Sequence, residues 1–423
     1  MLLLLLLLQV PAPSCADAPD CRRLAVEAAS RGEPEAFHDL AWRAVQKGKR
    51  NDPELMLLLA RAQSLSGRPG DAIVMLARLV DLGVRPDVAS DPDFAGVRAL
   101  AGWPELEARL AGKPMSAAPA TPPAAAPSAA APAAPSTPAP KTTPPSAAPP
   151  ASSAGLEFAA SGIELFALAH DAVSRRFVLG DGLASRLLIV DEVSRNVVPY
   201  VAAASAGFLD QIAGFSIDAR RGDLWVASTQ GADGAAESAL HKLQLVSGRP
   251  LLEARPAKDA APVQFVAVTV AADGTVYLLD EQTPRVFRLR PGARTIEPVM
   301  KLDLPAKSRP PAAIAAADDG TLFVADATGL VRVDPAARTA TRLKSAEDLG
   351  GFESLAWRDG ALLGIERVAG SYLVVRVKLD ASGTRAQPRQ ILAASPTAAV
   401  GTLAGDVFYY VAADHVIRRV TLK

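Results

Sequence analysis

The feature that most constrains the fold is a repeated unit in the second half of the chain. Ala271-Ala-Asp-Gly-Thr-Val-Tyr-Leu-Leu-Asp280 and Ala316-Ala-Asp-Asp-Gly-Thr-Leu-Phe-Val-Ala-Asp326 each read as an Asp-Gly turn, an alternating strand and a terminal acid. A second strand follows each, Val286-Phe-Arg-Leu-Arg290 and Gly329-Leu-Val-Arg-Val333. Glycine accepts the positive φ that a tight turn needs, so both stretches predict β-hairpins. Gly274 and Gly320 stand 46 residues apart, the span of a four-stranded sheet with its loops.

The same unit recurs at Asp171 to Asp181, Asp218 to Ala227, Trp357 to Glu366 and Leu403 to Tyr410, which makes six copies. Residues 154–423 are therefore expected to form a six-bladed β-propeller of about 45 residues per blade. The last copy supplies three strands before the chain ends at Lys423, and Leu156-Glu-Phe-Ala-Ala160 is expected to complete it. Such a join leaves no open first and last blade.

The rest of the chain is of two other kinds. Residues 19–112 are helical in pattern, with Asn51 and Asp52 as cap candidates before Pro53 and a break at Gly67-Arg-Pro-Gly70. Here Ala60, Gly67 and Ala72 occupy positions that need small residues, beside Leu59 and Leu76, and the segment resembles a tetratricopeptide repeat. A second hairpin, Arg22 to Gly48, has the same shape. Residues 113–153 are dominated by Pro and Ala, and Lys141 is the one charge between Lys113 and Glu157. They cannot bury enough apolar surface to offset chain entropy and are expected to be a disordered, semi-stiff linker. The fold class expected is thus multidomain and mainly β.

The 423 residues carry 45 basic and 45 acidic side chains, and no basic run interleaves with aromatics, so nucleic acid is not an expected partner. Met1 to Val10 is an apolar run of signal-peptide length, too short to span a bilayer, with small-residue cleavage sites up to Ala18. Residues 1–18 are read as a signal peptide and the protein as exported, to a periplasm, with no transmembrane span in the mature chain. The basic residues that usually precede such a run are missing, which predicts a start upstream of Met1. A lipid anchor at Cys15 is the alternative, although Pro13 makes a poor lipobox. Cys15 and Cys21 are the two cysteines, too few for a zinc or iron-sulfur framework.

The order of turn, strand and acid resembles the senescence marker protein/gluconolactonase family and, more loosely, the NHL propellers. The resemblance covers 155–423 and is carried by Pro311-Ala-Ala-Ile-Ala315 with Asp319-Gly320 through Asp326, and by Glu353-Ser-Leu-Ala-Trp357. It implies a divalent cation at the top of a central channel, held by a Glu, two Asn and an Asp, for lactone hydrolysis. Counted back from each turn, those ligands fall on Phe166, Val266, Ala312 and Glu353, with Ala213 and Thr397 at the same level in the second and sixth blades. A hard cation prefers six or more oxygens, so no metal site and no cofactor are expected; a cation enters only under a lactonase reading. A slip of one or two residues would bring Glu164, Asp210, Gln211 or Gln264 into the channel instead.

Glu353 remains as the weak catalytic candidate, expected to be buried among apolar residues with a raised pKa, or else satisfied at the channel mouth. The strand-end acids Asp181, Asp280, Asp326 and Glu366 are read as caps of their own turns. His170 is read as buried packing, and Trp225 and Trp357 as core between blades. No His-x-x-x-His spacing and no Gly-x-Ser-x-Gly elbow is present. The function expected is a non-catalytic binding or assembly protein with a protein or glycan partner. The alternatives are a divergent metal-dependent hydrolase and a sensor whose apolar channel takes an uncharged ligand.

Overall fold

A computed structural model describes residues 15–112, 155–158, 162–192, 194–231, 235–260, 262–304 and 312–422. The linker, 113–153, and most of the expected signal peptide lie outside the described residues.

The N-terminal part is helical: α1 (Ala18–Ser30), α2 (Pro34–Lys47), α3 (Pro53–Leu65), α4 (Pro69–Asp81), and the short α5 (Ala95–Arg98) and α6 (Trp103–Leu110). The Asp17 carboxylate accepts from Asp20 N at 2.9 Å and that of Asp52 from Glu54 N at 3.1 Å, which starts α1 and α3. Prolines sit in the first turns of α1 to α4, where no backbone donor is needed. α1 packs on α2 and α3 on α4 as hairpins, with Leu59, Ala60, Ala72 and Leu76 fully buried at the second crossing. Among the described residues no helix is long and apolar enough to cross a membrane.

Cys15 is joined to Cys21 in a disulfide. It spans the boundary expected after Ala18. The sulfur a lipid anchor would use is already bonded, and a boundary after Ala18 would cut through both the disulfide and the first turn of α1.

The remainder is mainly β. Among the described residues its strands run as antiparallel meanders, four-stranded in the sheets here numbered I (165–202), II (211–256), III (265–301), IV (313–342) and V (352–395) and three-stranded in VI (399–421). Sheets II and III are also joined edge to edge by a short parallel pairing of Thr295 with Arg255 and Ile296 with Pro256. The turns behave as their residues dictate: Gly274 and Gly320 have φ of +87° and +84°, and Thr275 N donates to Asp273 Oδ1 at 2.8 Å.

The first strand of each meander touches the first strand of the next, and that of sheet VI touches that of sheet I, so the sheets form a propeller-like ring around a channel. These six strands are Leu165–Asp171, Gln211–Asp218, Phe265–Val270, Ala313–Ala316, Phe352–Arg358 and Ala399–Ala404. Sheet VI gains its fourth strand from the start of the β part: Leu156 pairs with Ile417 and Glu157 with Val416.

The helices are not a separate body. A continuous apolar cluster runs from Phe37, Trp42 and Leu79 into Val173, Leu224 and Val246 of sheets I and II. Trp42 Nε1 donates to Ala219 O at 2.6 Å, and Gln46 Nε2 donates to the same carbonyl. Around this contact Arg78 pairs with Asp191 at 3.1 Å, and Arg249 Nη1 donates to Gly67 O at 3.3 Å. Each large apolar side chain covered here contributes about 1.5–3 kcal/mol.

Candidate functional site: the central channel

The channel is widened by a repeated backbone irregularity. In sheets I, II, III and V the ladder between first and second strands shifts between Leu165 and Ala167, Ile212 and Gly214, Phe265 and Ala267, and Phe352 and Ser354. The residues skipped are Phe166, Ala213, Val266 and Glu353. A bulge leaves one residue out of the ladder and re-aims its side chain, here into the channel. Sheet IV begins one residue later: Ala312 N donates to Ala325 O, and regular pairing starts at Ala313.

A polar side chain on the second strand stands opposite the residue before each bulge: Asp181, Ser228, Asp280 and Glu366. Three of them accept a backbone N–H just ahead of the bulge. Asp181 takes Glu164 N at 3.3 Å, Ser228 Oγ takes Leu209 N at 3.1 Å, and Asp280 takes Gln264 N at 3.0 Å. In sheet IV the preceding residues are Pro310 and Pro311, which have no such donor, and Asp326 accepts instead from Thr328 N at 2.7 Å.

The acids were expected to do no more than cap their turns. Each also grips an arginine: Arg186 on Asp181 at 2.9 Å, Arg285 on Asp280 at 2.6 Å, Arg342 on Asp326 at 2.6 Å and Arg389 on Glu366 at 2.7 Å. Glu366 departs furthest. It is fully buried, its carboxylate takes Arg389 rather than a turn N–H, and burial pushes it up to about 7 in spite of that arginine.

Sequence reading missed Ser228, because only the paired strands reveal that it stands where its neighbours carry an acid. Its hydroxyl lies 2.9 Å from His241 Nε2, and both residues are buried. Burial holds His241 down at about 4, which keeps the ring neutral. Phe208 packs edge-on to the imidazole at 5.0 Å, so the pair is a buried structural bond.

The channel encloses about 760 Å³, within the size range of small-molecule sites. Phe166, Ala213, Val266, Ala312 and Glu353 all line it. Thr397 does not. It lies in the turn after Gln390–Ser395, where its carbonyl accepts Ser395 Oγ at 2.9 Å, and Val400, Gly401 and Thr402 line the channel in its place. In sheet VI the position opposite is Ala412, no polar anchor is present, and the ladder from Ala399 onward is unbroken. Counting from the turn therefore slips there.

Glu353 is not buried. Its side chain is 31% exposed, and Oε1 lies 3.4 Å from Arg367 Nε. Trp357, expected as core between blades, stacks on Phe323 at 5.1 Å and also lines the channel. His170 is packed between Phe177 and Tyr409, each ring 4.7 Å away, and its Nε2 lies 2.6 Å from Glu192. Burial would raise the Glu192 carboxyl, but the bonds and charges of His170 and Arg175 outweigh it and hold it at about 2.

At the C-terminal ends of the first strands, the channel wall is completed by the helical part: Trp42, Val45, Gln46, Gly48 and Arg50 line it together with the strands. The other mouth, at the N-terminal ends of the strands, carries Glu353. On the same side of sheet I, after Asp181 pairs with Leu165, the turn carries Leu183, which is 69% exposed.

The donors do not fit a hard cation. The positions implied by family resemblance hold one carboxylate, already facing an arginine, beside Phe166, Val266 and Ala312. Among the described residues no three His, Cys, Asp or Glu side chains converge on a point.

No family model matches the sequence, and no curated protein is similar to it. Solved structures of comparable shape include virginiamycin B lyase of Staphylococcus aureus in complex with quinupristin. It is 14% identical with a TM-score of 0.45 over 62% of this chain and 82% of that one. A candidate gluconolactonase is 14% identical, TM-score 0.47, over 64% and 93%. The allergen Mala s 1 of Malassezia sympodialis is 15% identical, TM-score 0.47, over 61% and 92%. Identities and scores this low carry nothing about chemistry.

Proposed function

We propose that this chain is an exported, non-catalytic binding protein. It is read as a six-bladed β-propeller with a tetratricopeptide-like helical module fixed to one mouth, offering its other mouth to a protein or glycan partner. The observation that carries this reading is the shared core of Trp42 with sheets I and II. It commits one face of the ring internally and leaves the mouth around Glu353 and Leu183 facing outward. Wide surfaces at the ends of such rings suit macromolecular partners. A disulfide at Cys15–Cys21 accords with an oxidising, extracytoplasmic compartment.

The rival reading is a hydrolase rebuilt around Glu353. Two measurements on the full chain separate them. The first is metal content with calcium and zinc titration by calorimetry, alongside lactone turnover; the expected result is no stoichiometric cation and no turnover. A tight cation, with turnover lost in Glu353→Gln, would overturn the proposal. The second is photo-crosslinking in extracts of the source cells from a reactive residue at Leu183 or at Val26 on α1. Capture of a discrete partner from Leu183 and none from Val26 is expected. Capture from Val26 alone would place the binding face on the helices.

A further inference from the structure

The helical wall contributes a cation to one end of the channel. Arg50 lines the channel from the turn between α2 and α3. That turn is built for its path. A Cβ on Gly48 would stand 2.9 Å from Ala44 O and 2.3 Å from Leu55 Cδ1, so a larger residue would force both to shift, and Asn51 takes the left-handed conformation, φ +61°.

The guanidinium is exposed and lies close enough to the Tyr409 hydroxyl to act on it electrostatically. Two acids line the same channel, and both are engaged elsewhere. Asp171 accepts Val173 N at 3.0 Å and Ser174 N at 3.1 Å in its own turn. Glu353 faces Arg367 at the opposite mouth.

Between these ends the wall is mostly of small side chains, such as Ala213, Val266, Ala267, Ala315 and Ala356, with the hydroxyls of Ser216, Thr269, Ser354 and Thr402 among them. The first strand of sheet I has seven residues, so the channel is roughly 20 Å long at about 3.3 Å per residue. A cation at one end and a tube of mostly small side chains select for charge and polarity at once.

We propose that the channel binds a small amphipathic carboxylate, with its apolar body along the alanine and valine wall and its anionic head on Arg50. Guanidinium matches a carboxylate with two parallel N–H donors, and the apolar tail needs no partner but the wall. The proposal does not depend on any macromolecular partner at the outer mouth.

The test is calorimetric titration of the full chain with three ten-carbon probes: decanoate, decanol and decyltrimethylammonium. Decanoate is expected to bind one to one and to outbind the other two. Arg50→Gln should weaken decanoate by about tenfold or more and leave decanol unchanged. Ala356→Phe, which narrows the tube, should weaken decanoate and decanol alike. Equal binding of decanol and decanoate, unaltered binding by Arg50→Gln, or no heat from any of the probes would each overturn the proposal.

Discussion

Trp42 Nε1 and Ala219 O are bonded at 2.6 Å although 177 residues separate them in sequence. This bond lies inside the cluster that makes helices and ring a single packed unit. Trp42→Ala should therefore cost about 3–5 kcal/mol, read from chemical denaturation, and should loosen the helices rather than the far sheets. Gly222→Ala probes the same joint. Gly222 has φ +67°, and a Cβ there would meet the Trp42 ring at 3.0 Å, so a loss of at least about 1 kcal/mol is expected. If both variants unfold like the parent, the joint is not structural.

Stability should depend on pH through Glu366. Its folded value is raised from 4.5 to about 7 by burial, so the folded chain binds the proton more tightly than the unfolded one. The associated stability is full below about pH 4.5 and disappears as pH rises through about 7. Glu366→Gln carries no such titration. The melting temperature of the parent should fall relative to this variant across that window, and a constant difference would remove the assignment.

The Ser228–His241 bond predicts the opposite slope. Burial lowers His241 from 6.5 to about 4, so its contribution is full above about pH 6.5 and is lost as pH falls through about 4. Ser228→Ala strips a partner from both Leu209 N and His241 Nε2 and should cost about 1–3 kcal/mol by urea denaturation at neutral pH. A neutral substitution would show that ordered water replaces the hydroxyl.

The mature protein should retain Cys15. Peptide mapping of the native, unreduced chain is expected to find Cys15 and Cys21 in one cross-linked fragment, with no free thiol after denaturation. Reduction of so short a loop should cost about 2 kcal/mol. An N-terminus after Ala18 with Cys21 free would contradict the pairing.

What the sequence revealed follows from the range of the forces involved. Asp-Gly turns, helix caps and strand alternation are set by residues a few positions apart, so the hairpins and helices could be read directly. Channel positions counted from a turn were accessible in sheets I, II, III and V because a polar anchor and its bulge recur with the turn, and in sheet IV because its ladder starts one residue after Ala312. In sheet VI Ala412 replaces the anchor, and Thr397 falls outside. The joint at Trp42 was not legible. A large apolar residue on an amphipathic helix looks the same whether it meets a neighbouring helix or a distant sheet. Arg50 reads as an ordinary surface cation until the channel beneath it is seen. Glu353 looked buried because its sequence neighbours are apolar, whereas Arg367, its partner, comes from the adjacent strand.

The placement of that joint also sets an order of assembly during synthesis. Every buried residue of the cluster that ties helices to sheets precedes Ser247, whereas the strand that zips the ring shut, against Leu156, ends at Thr421. The growing chain can dock its helices on two finished sheets while the last four are still to be made. Until Ile417 emerges, what exists is an anchored arc with a free edge at Leu156. The ring is moored first and closed last.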